Sequence, residues 1–544
     1  MTTPPPWWQT TAIYQIYPRS YADSNNDGIG DLRGIISKLD YIQDLGFETL
    51  WISPFFCSPQ QDFGYDISDY LNVAPEYGTM ADVDDLIHQV HARGMKILFD
   101  LVLNHTSNQH PWFLESRSSR ENPKRDWYIW RDGRSNRPPN NWKAIPGGSA
   151  WHYDEVTDQW CFANFLDFQP DLNWRNPDVK QNMLDIVRFW LDKGVDGYRL
   201  DIFHSIYKDA QFRDNPFSHR YVPEEGVAGF FQEWKYSLHQ PEAFALAKEL
   251  RGILGTYEPE RMMVGEVFGD DATVKDYIGE KRDGFNLLFS WDLLNFKPTA
   301  TFLRDVILHQ ETLYPDPYTP VYVFGNHDRK RLLSQADSDT RVTKLLALFQ
   351  FTVRGVPVTY YGEEIGMEDG GFPAKTALDP IGQRYKVLPQ FLLDALGLYV
   401  NRDGCRTPMQ WDSSRNASFC NPDVIPWLPV HENRNWANVR DQLEDDDSLL
   451  NLYRNLLHLR RENPILQHAR LELLEGSAVE KNILAFKREL GDDSVLVVIN
   501  FGKKPASFEN PSDCDQALLN VGMEKPPNPK KIEFPPCSGI ILGK

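Results

Sequence analysis

Residues 194–202 read GVDGYRLDI. The run Val195–Asp201 reads as a buried strand that ends in a carboxylate. Arg199 lies two residues before Asp201, so on a strand both side chains leave the same face. A guanidinium beside an acid favours its charged form, and a carboxylate held ionised at a strand end is a candidate nucleophile. The same pair also serves as a structural ion pair, and this stretch alone does not separate the two readings. Other apolar runs also end in polar groups. Asp100 stands with Asn104 and His105, Glu266 lies near the end of MMVGEV, and His327 and Asp328 lie in GNHD. Three acids at different strand ends, with an arginine and two histidines, are costly to desolvate unless a site uses them.

Asp201 and Glu266 fall on the fourth and fifth of these strands. Neighbouring strands lie about 4.8 Å apart, which predicts carboxylates roughly 5–5.5 Å apart, the separation at which one acid attacks a glycosidic carbon directly. Glu266 follows Gly265 in an apolar strand, a setting that favours its protonated form and the role of general acid.

The elements that must position these groups alternate. Strands are predicted at Thr11–Arg19, Thr49–Ser53, Lys96–Val102, Val195–Asp201, Arg261–Val267, Asn286–Trp291, Tyr322–Gly325 and Val356–Tyr361. Helical periodicity covers Leu32–Leu45, Met80–Arg93, Pro177–Lys193 and Ser448–Arg461. Eight strands separated by helices predict an α/β fold, a (β/α)8 TIM barrel, with its chemistry on the loops after the strands. Thr106–Trp174, rich in Trp, Asn, Pro and Arg, interrupts the rhythm after the third strand. The expected organisation is a catalytic barrel over residues 1–105 and 175–466, an inserted small domain over 106–174, and a C-terminal β-sandwich over 467–544.

The 544-residue chain carries 57 basic and 77 acidic residues, a net charge of −20. That balance argues against nucleic acid and against an anionic membrane as partners. The six cysteines are scattered without a CxxC pair, so free thiols are expected. MTTPPPWWQTT lacks the charge and apolar core of a signal peptide, and no apolar window is long enough to span a bilayer. A cytoplasmic monomer or homodimer is expected.

Asp23, Asn25, Asp27, the Ile29 carbonyl and Asp31 follow the first nine positions of an EF-hand-like loop, with Gly28 for the sharp turn. Gly34 stands where the bidentate glutamate belongs. A hard cation, Ca2+ or Mg2+, is expected there. The alternative is an Asx-rich turn held by its own hydrogen bonds.

The motifs DLVLNH (Asp100–His105), GYRLD (Gly197–Asp201), GEV (Gly265–Val267) and GNHD (Gly325–Asp328) resemble the four signature regions of the α-amylase family of glycoside hydrolases (family 13). QPDLNW (Gln169–Trp174), the opening around IYQIYPRSY, and RTPMQW (Arg406–Trp411) are similar to its oligo-1,6-glucosidase and α-glucosidase branch. The resemblance implies Asp201 as nucleophile, Glu266 as acid/base and Asp328 as a ring-hydroxyl ligand. It implies Tyr65 as stacking platform, Asp66 as hydroxyl ligand, and His105, Phe165, Arg199, His327 and Arg402 around the same sugar. Phe165 also reads as core, and Arg402 as a loop residue. The implied function is a retaining, exo-acting α-glucosidase on short oligosaccharides. A transglucosylase or sucrose isomerase on the same scaffold is the alternative, and a catalytically silent transporter subunit is a third, which the retained acids disfavour. Ile202 follows the nucleophile, where small or hydroxylated residues accompany α-1,4 preference and Val accompanies α-1,6 in that family. The basic Arg329–Arg331 is expected to border the leaving-sugar site.

Overall fold

Short apolar runs form parallel strands when helices cover both faces, and that is the pattern of the central sheet. The computed structural model describes residues 5–224, 226–395, 398–474, 481–524 and 528–544. Positions 1–4, 225 and 396–397 of the expected barrel, and 475–480 and 525–527 of the expected C-terminal domain, lie outside them. The barrel strands are β1 (Ile13–Ile16), β2 (Thr49–Ile52), β3 (Lys96–Leu101), β4 (Gly197–Leu200), β5 (Met262–Gly265), β6 (Leu287–Leu288), β7 (Val321–Val323) and β8 (Val356–Tyr360). Every residue in them is buried except Lys96, which is intermediate. They belong to one eight-stranded sheet in the order β6-β5-β4-β3-β2-β1-β8-β7. All eight predicted strands are present, trimmed at their ends where loops take over.

By contact the chain divides into two compact units. One comprises Met1–Leu50, Ala92–Met95 and Ser290–Lys544, and the other Trp51–His91 and Lys96–Phe289. In the second unit β3, β4, β5 and β6 pair side by side in parallel. Gly197 is required there: a Cβ on it would stand 1.9 Å from the Met262 carbonyl oxygen. The helix Pro177–Asp192 feeds β4. Asn176 caps it by accepting from Asp178 N and Val179 N, and Pro177 takes the first turn. Residues 106–174 carry a three-stranded antiparallel sheet, Trp130–Arg131, Gln159–Phe162 and Trp151–Asp154. Its core holds Trp142, Trp151 and Phe162. The stretch between β4 and the helix Pro241–Leu254 docks on this insertion. Trp142 Nε1 donates to the Arg213 carbonyl (2.8 Å), and Phe212 lies 5.6 Å from the Trp142 ring.

In the first unit β1 and β7 flank β8 in parallel register. The expected helix over Leu32–Leu45 is two helices, Leu32–Ile36 and Leu39–Leu45. The break falls where Ser37 N and Oγ satisfy the Arg33 and Gly34 carbonyls. After the helix Leu449–Glu462, capped by Ser448, a five-stranded antiparallel sheet and a two-stranded one share a core that includes Ile483, Val498, Phe508, Phe534 and Ile540. This is the C-terminal sandwich. All six cysteines are free thiols.

Asp196, just before β4, shows what holds the sheet's other end. Its carboxylate meets His91 Nε2 (2.7 Å), Lys96 Nζ (3.2 Å) and Arg261 Nη1 (2.7 Å) and accepts from Ile97 N (3.0 Å). Burial works against its charge, but His91 and Lys96 overcome that and hold it below the usual carboxylate range. Such a group adds stability above its unfolded pKa and loses it as pH falls through the native one. Asp196→Asn should therefore cost about 2–3 kcal/mol at pH 7, less than a fully buried pair because two partners are partly exposed. The deficit should shrink on acidification, as read by denaturant unfolding at pH 7 and pH 3.

Candidate active site

The register between β3 and β4 sets Asp100 directly opposite Arg199. The backbone ladder continues one step beyond the strands. Asp201 N donates to Leu101 O (3.2 Å) and Glu266 N to Leu200 O (3.0 Å). Asp100, Arg199, Asp201 and Glu266 are thereby delivered to one place, and Arg199 joins them. Its Nη1 donates to Asp100 Oδ1 (2.8 Å) and Asp201 Oδ1 (2.6 Å), and its Nη2 to Glu266 Oε2 (2.7 Å). The guanidinium lies 5.2 Å from the Trp51 ring. Ile202 N also donates to Glu266 Oε2 (3.0 Å). Asp201 Oδ2 and Glu266 Oε1 take no part in these contacts.

Three carboxylates share one guanidinium. Burial drives the Asp201 carboxyl well above its ordinary range; Arg199 opposes this, while Glu266 and Asp100 add to it. Burial likewise lifts Asp100 to about 6 against the pull of Arg199. The pull of Arg199 toward an ionised Asp201 is opposed by burial and by the two neighbouring acids. One arginine does not offset three acids in a dry site. The apolar setting expected for Glu266 is corrected, since a guanidinium sits beside it.

Asp100 is oriented by Trp51 Nε1 (3.1 Å) and by Tyr65 Oη (2.9 Å), both donating to Oδ2. The Tyr65 ring is fixed in consequence. Asp66 is buried in its own loop, accepting from Ser58 Oγ (2.8 Å), Asp62 N (3.0 Å) and Gln61 N (3.0 Å). Burial raises it to about 6. Asn104 Nδ2 donates to His105 Nδ1 (3.2 Å), and His105 Nε2 donates to the Tyr65 carbonyl (3.2 Å). Burial lowers His105 to about 4, so the ring is neutral at pH 7. Phe165 is half-buried in the bend after the strand Gln159–Phe162.

Sequence reasoning missed the support beneath His105. Lys208 is buried against Asp171 and donates to Asn104 Oδ1 (3.0 Å). Only tertiary contact reveals it, although a lysine soon after a strand-end acid is a polar group in search of a partner.

The first unit holds a second group. Gln15 Nε2 donates to His327 Nδ1 (2.8 Å), and His327 Nε2 lies 3.1 Å from Asp328 Oδ2. Arg402 Nη1 and Arg406 Nη2 both donate to Asp328 Oδ1 (2.9 Å each). Arg402 also grips Asp379 through Nε (3.0 Å) and Nη2 (2.6 Å). Burial opposes the Asp379 charge, yet Arg402 holds it below the usual range. Arg406 and Asp379 were not singled out from sequence. Arg331, expected at the rim of a sugar site, is instead fully buried: its guanidinium lies 4.9 and 4.8 Å from the Tyr360 and Tyr361 rings.

The Asp23–Asp31 loop shows its hydrogen-bonded frame. Asp23 accepts from Asn25 N (3.1 Å), Asn26 N (2.6 Å) and Gly28 N (2.8 Å); Asp27 accepts from Ile29 N (2.8 Å). Asp31 accepts from Ser24 N (2.8 Å) and caps the helix Leu32–Ile36 through Gly34 N (2.7 Å). Asn26 and Gly28 have φ of 64° and 90°. Burial raises Asp23, and the Asp27 and Asp31 charges add to that. These acids accept backbone N–H groups in the manner of an Asx-rich turn, and among the described residues no group of three or more His, Cys, Asp or Glu side chains is placed to hold a metal ion.

The chain matches the family described as alpha amylase, catalytic domain, over residues 15–469. The chain belongs to the alpha-amylase family. Within that family it is 38% identical to an oligo-1,6-glucosidase of Parageobacillus thermoglucosidasius, covering 98% of each chain. It is 39% identical to a probable alpha-glucosidase of Rhizobium meliloti (strain 1021), covering 93% and 91%. Among solved structures of the family, trehalulose synthase MutB from Pseudomonas mesoacidophila MX-45 superposes with a TM-score of 0.89 at 33% identity, covering 99% of this chain and 100% of that one. The alpha-glucosyl transfer enzyme XgtA gives 0.88 at 36% identity, with the same coverage. Among the described residues no helix is long and apolar enough to cross a membrane.

The shared guanidinium has a stability consequence. A carboxyl raised in the native state adds stability below its unfolded pKa and loses it as pH climbs through the native one. Asp201→Asn removes a buried carboxyl whose ionisation burial opposes, while keeping the shape. The variant should melt above the wild type at pH 7.5, and the gap should close toward pH 4, as calorimetry at both pH values will read.

Proposed function

We propose that this alpha-amylase family member is an exo-acting, retaining α-glucosidase on short oligosaccharides. The observation that carries the reading is the single guanidinium that touches both Asp201 and Glu266. Tying both carboxylates to one guanidinium holds them close together, the arrangement that supports direct attack by one of them. The oligo-1,6-glucosidase and alpha-glucosidase names of its relatives supply the substrate class.

Asp201 attacks the anomeric carbon through Oδ2 as the bond to the leaving oxygen breaks. Glu266 delivers its proton to that oxygen from Oε1. A β-glucosyl-enzyme forms. Glu266 then takes a proton from water as it attacks the same carbon, and α-glucose leaves with Asp201 released. Arg199 keeps Oδ1 and Oε2 occupied, so each acid presents one defined oxygen. By the family resemblance Asp328 holds ring hydroxyls, with Tyr65, Asp66, His105, Phe165, His327 and Arg402 about the same sugar. A second reading, transfer to a sugar or isomerisation of sucrose, is favoured by the likeness to XgtA and MutB. It keeps the same acids and changes only the acceptor.

Time-resolved proton NMR on maltose, isomaltose and sucrose tests this. Initial release of α-glucose is expected, with kcat reduced by several orders of magnitude in Asp201→Asn and Glu266→Gln. β-Glucose as first product, or near-normal turnover in either variant, overturns the assignment. New oligosaccharides or a sucrose isomer with little free glucose selects the second reading.

The Asp23–Asp31 loop, in this reading, holds Ca2+ or Mg2+ through Asp23, Asn25, Asp27, the Ile29 carbonyl and Asp31. Its charge would relieve the repulsion among the three acids. Chelation should lower Tm, and Ca2+ or Mg2+ should restore it. An unchanged Tm, with no metal found by elemental analysis of the purified protein, sinks the site.

A further inference from the structure

Where the insertion meets the stretch after β4, a cavity of about 110 Å3 opens between Arg131, Asn173, Arg175 and Lys208, with Ile129, Ala210 and Phe212 as its apolar wall. That volume is several times what one water needs. Three of these side chains are cations and none is an acid. Like charges gathered around one small space repel each other, so their convergence calls for an explanation.

Lys208 is the fixed member. It is 1% exposed, and its ammonium donates to Asp171 and to Asn104 Oδ1 (3.0 Å). An ammonium has three N–H groups, so one remains beyond those two bonds. Burial lowers the Lys208 pKa; Asp171 opposes this, and the Arg175 charge adds to it.

Arg131 is the member without an acid. Its Nη1 donates to the Trp130 carbonyl (2.7 Å), and its guanidinium lies 3.9 Å from the Phe212 ring. Among the described residues it makes no ion pair, and its Nε and Nη2 make no hydrogen bond. Burial lowers its pKa too; Asp126 opposes this from further off, and the Arg175 charge adds to it.

Arg175 completes the set. Its Nε and Nη2 donate to Glu242 Oε1 (3.1 and 2.6 Å), and among the described residues Nη1 makes no hydrogen bond. Asn173 adds no acceptor, because its Oδ1 takes the Arg175 N–H (3.3 Å). The acids nearby already have cations of their own: Asp171 has Lys208, Glu242 has Arg175, and Asp209 has Arg213 (2.7 Å).

The cavity is thus rich in donors and lacks an acceptor. Its cations come from three segments: the strand Trp130–Arg131, the approach to the helix Pro177–Asp192, and the stretch after β4. Donors arriving from several directions suit an anion with several oxygens. Guanidinium forks and an ammonium bind phosphate by charge-assisted hydrogen bonds, and an apolar wall strengthens such bonds.

We propose that this cavity binds a phosphate group, as the free ion or at the end of a small ester. None of its lining residues is one of the acids that face Arg199, so the proposal stands apart from the glucosidase reading and goes beyond it.

Calorimetric titration of the whole chain with inorganic phosphate, and separately with glycerol 3-phosphate, tests this at an ionic strength held constant with sodium chloride. Saturable binding of one equivalent is expected. Arg131→Met keeps a stem against Phe212 and removes the charge. It should weaken binding about 10-fold or more, as the loss of a charge-assisted hydrogen bond implies. Arg131→Lys keeps the charge and should bind more tightly than Arg131→Met, a rescue that a folding defect would not produce. Without phosphate both variants should melt with the wild type, since Arg131 makes no ion pair to lose. Tighter binding of glycerol 3-phosphate assigns the esterified form, and tighter binding of inorganic phosphate assigns the free one. No saturable binding of either probe by the wild type, or equal affinity in the wild type and Arg131→Met, overturns the proposal.

Discussion

One guanidinium facing three carboxylates is the constraint on which the rest of the second unit depends. Arg199 is buried together with Asp100, Asp201 and Glu266. Taken out of water, this set carries more negative charge than its cation offsets, and the desolvation is unfavourable by several kcal/mol per ion before pairing. It persists because rigid neighbours fix each partner. β3 and β4 set the register, Trp51 and Tyr65 hold Asp100, and the Ile202 amide holds Glu266. Stability is spent where geometry is needed, as at functional sites generally.

The two ends of β4 show the division of labour within one strand. Asp196 precedes it and Asp201 follows it. Asp196 has two cations and the His91 imidazole as partners, and its pKa is pushed down. Asp201 shares one cation with two other acids, and its pKa is pushed up. An overcompensated acid can only be structural, because nothing is gained by releasing its charge. In the proposed reading, the undercompensated one is the acid that gives up its charge in forming a bond to the sugar. In a parallel barrel the first belongs at the N-terminal face and the second at the C-terminal face.

Much of this was legible in the residues. Continuous apolar runs such as ILFDL marked strands covered on both faces, and the acids stood where those runs stopped. The order of strands and the candidate acids follow from that pattern. What escaped depends on register or on distant contact. Asp100 was visible as a strand-end acid, but its pairing with Arg199 follows only from the β3–β4 alignment. Lys208 and Arg406 are charges whose partners lie far away in sequence, so burial could not be read for them. Arg331 misled for the opposite reason. A basic run reads as exposed, yet two tyrosine rings and the Tyr361 carbonyl receive its guanidinium (Nη1 donates at 2.7 Å).

Ile202 concentrates what local pattern cannot show. Its φ is 29°, a left-handed conformation that a β-branched residue rarely adopts. Strain of this kind is worth about 1–3 kcal/mol and survives only where surroundings over-determine it. Here the determinants are explicit. Ile202 N must reach Glu266 Oε2, and the next residue, Phe203, must donate to the Glu266 carbonyl (3.2 Å). The chain therefore turns immediately after Asp201 so that two backbone N–H groups join Arg199 in holding its partner acid. Positioning the two acids does not use the Ile202 side chain, which leaves residue 202 free to differ among enzymes that share this geometry. In the proposed reading, a position whose backbone positions the acids and whose side chain does not is where substrate preference can change without disturbing the chemistry.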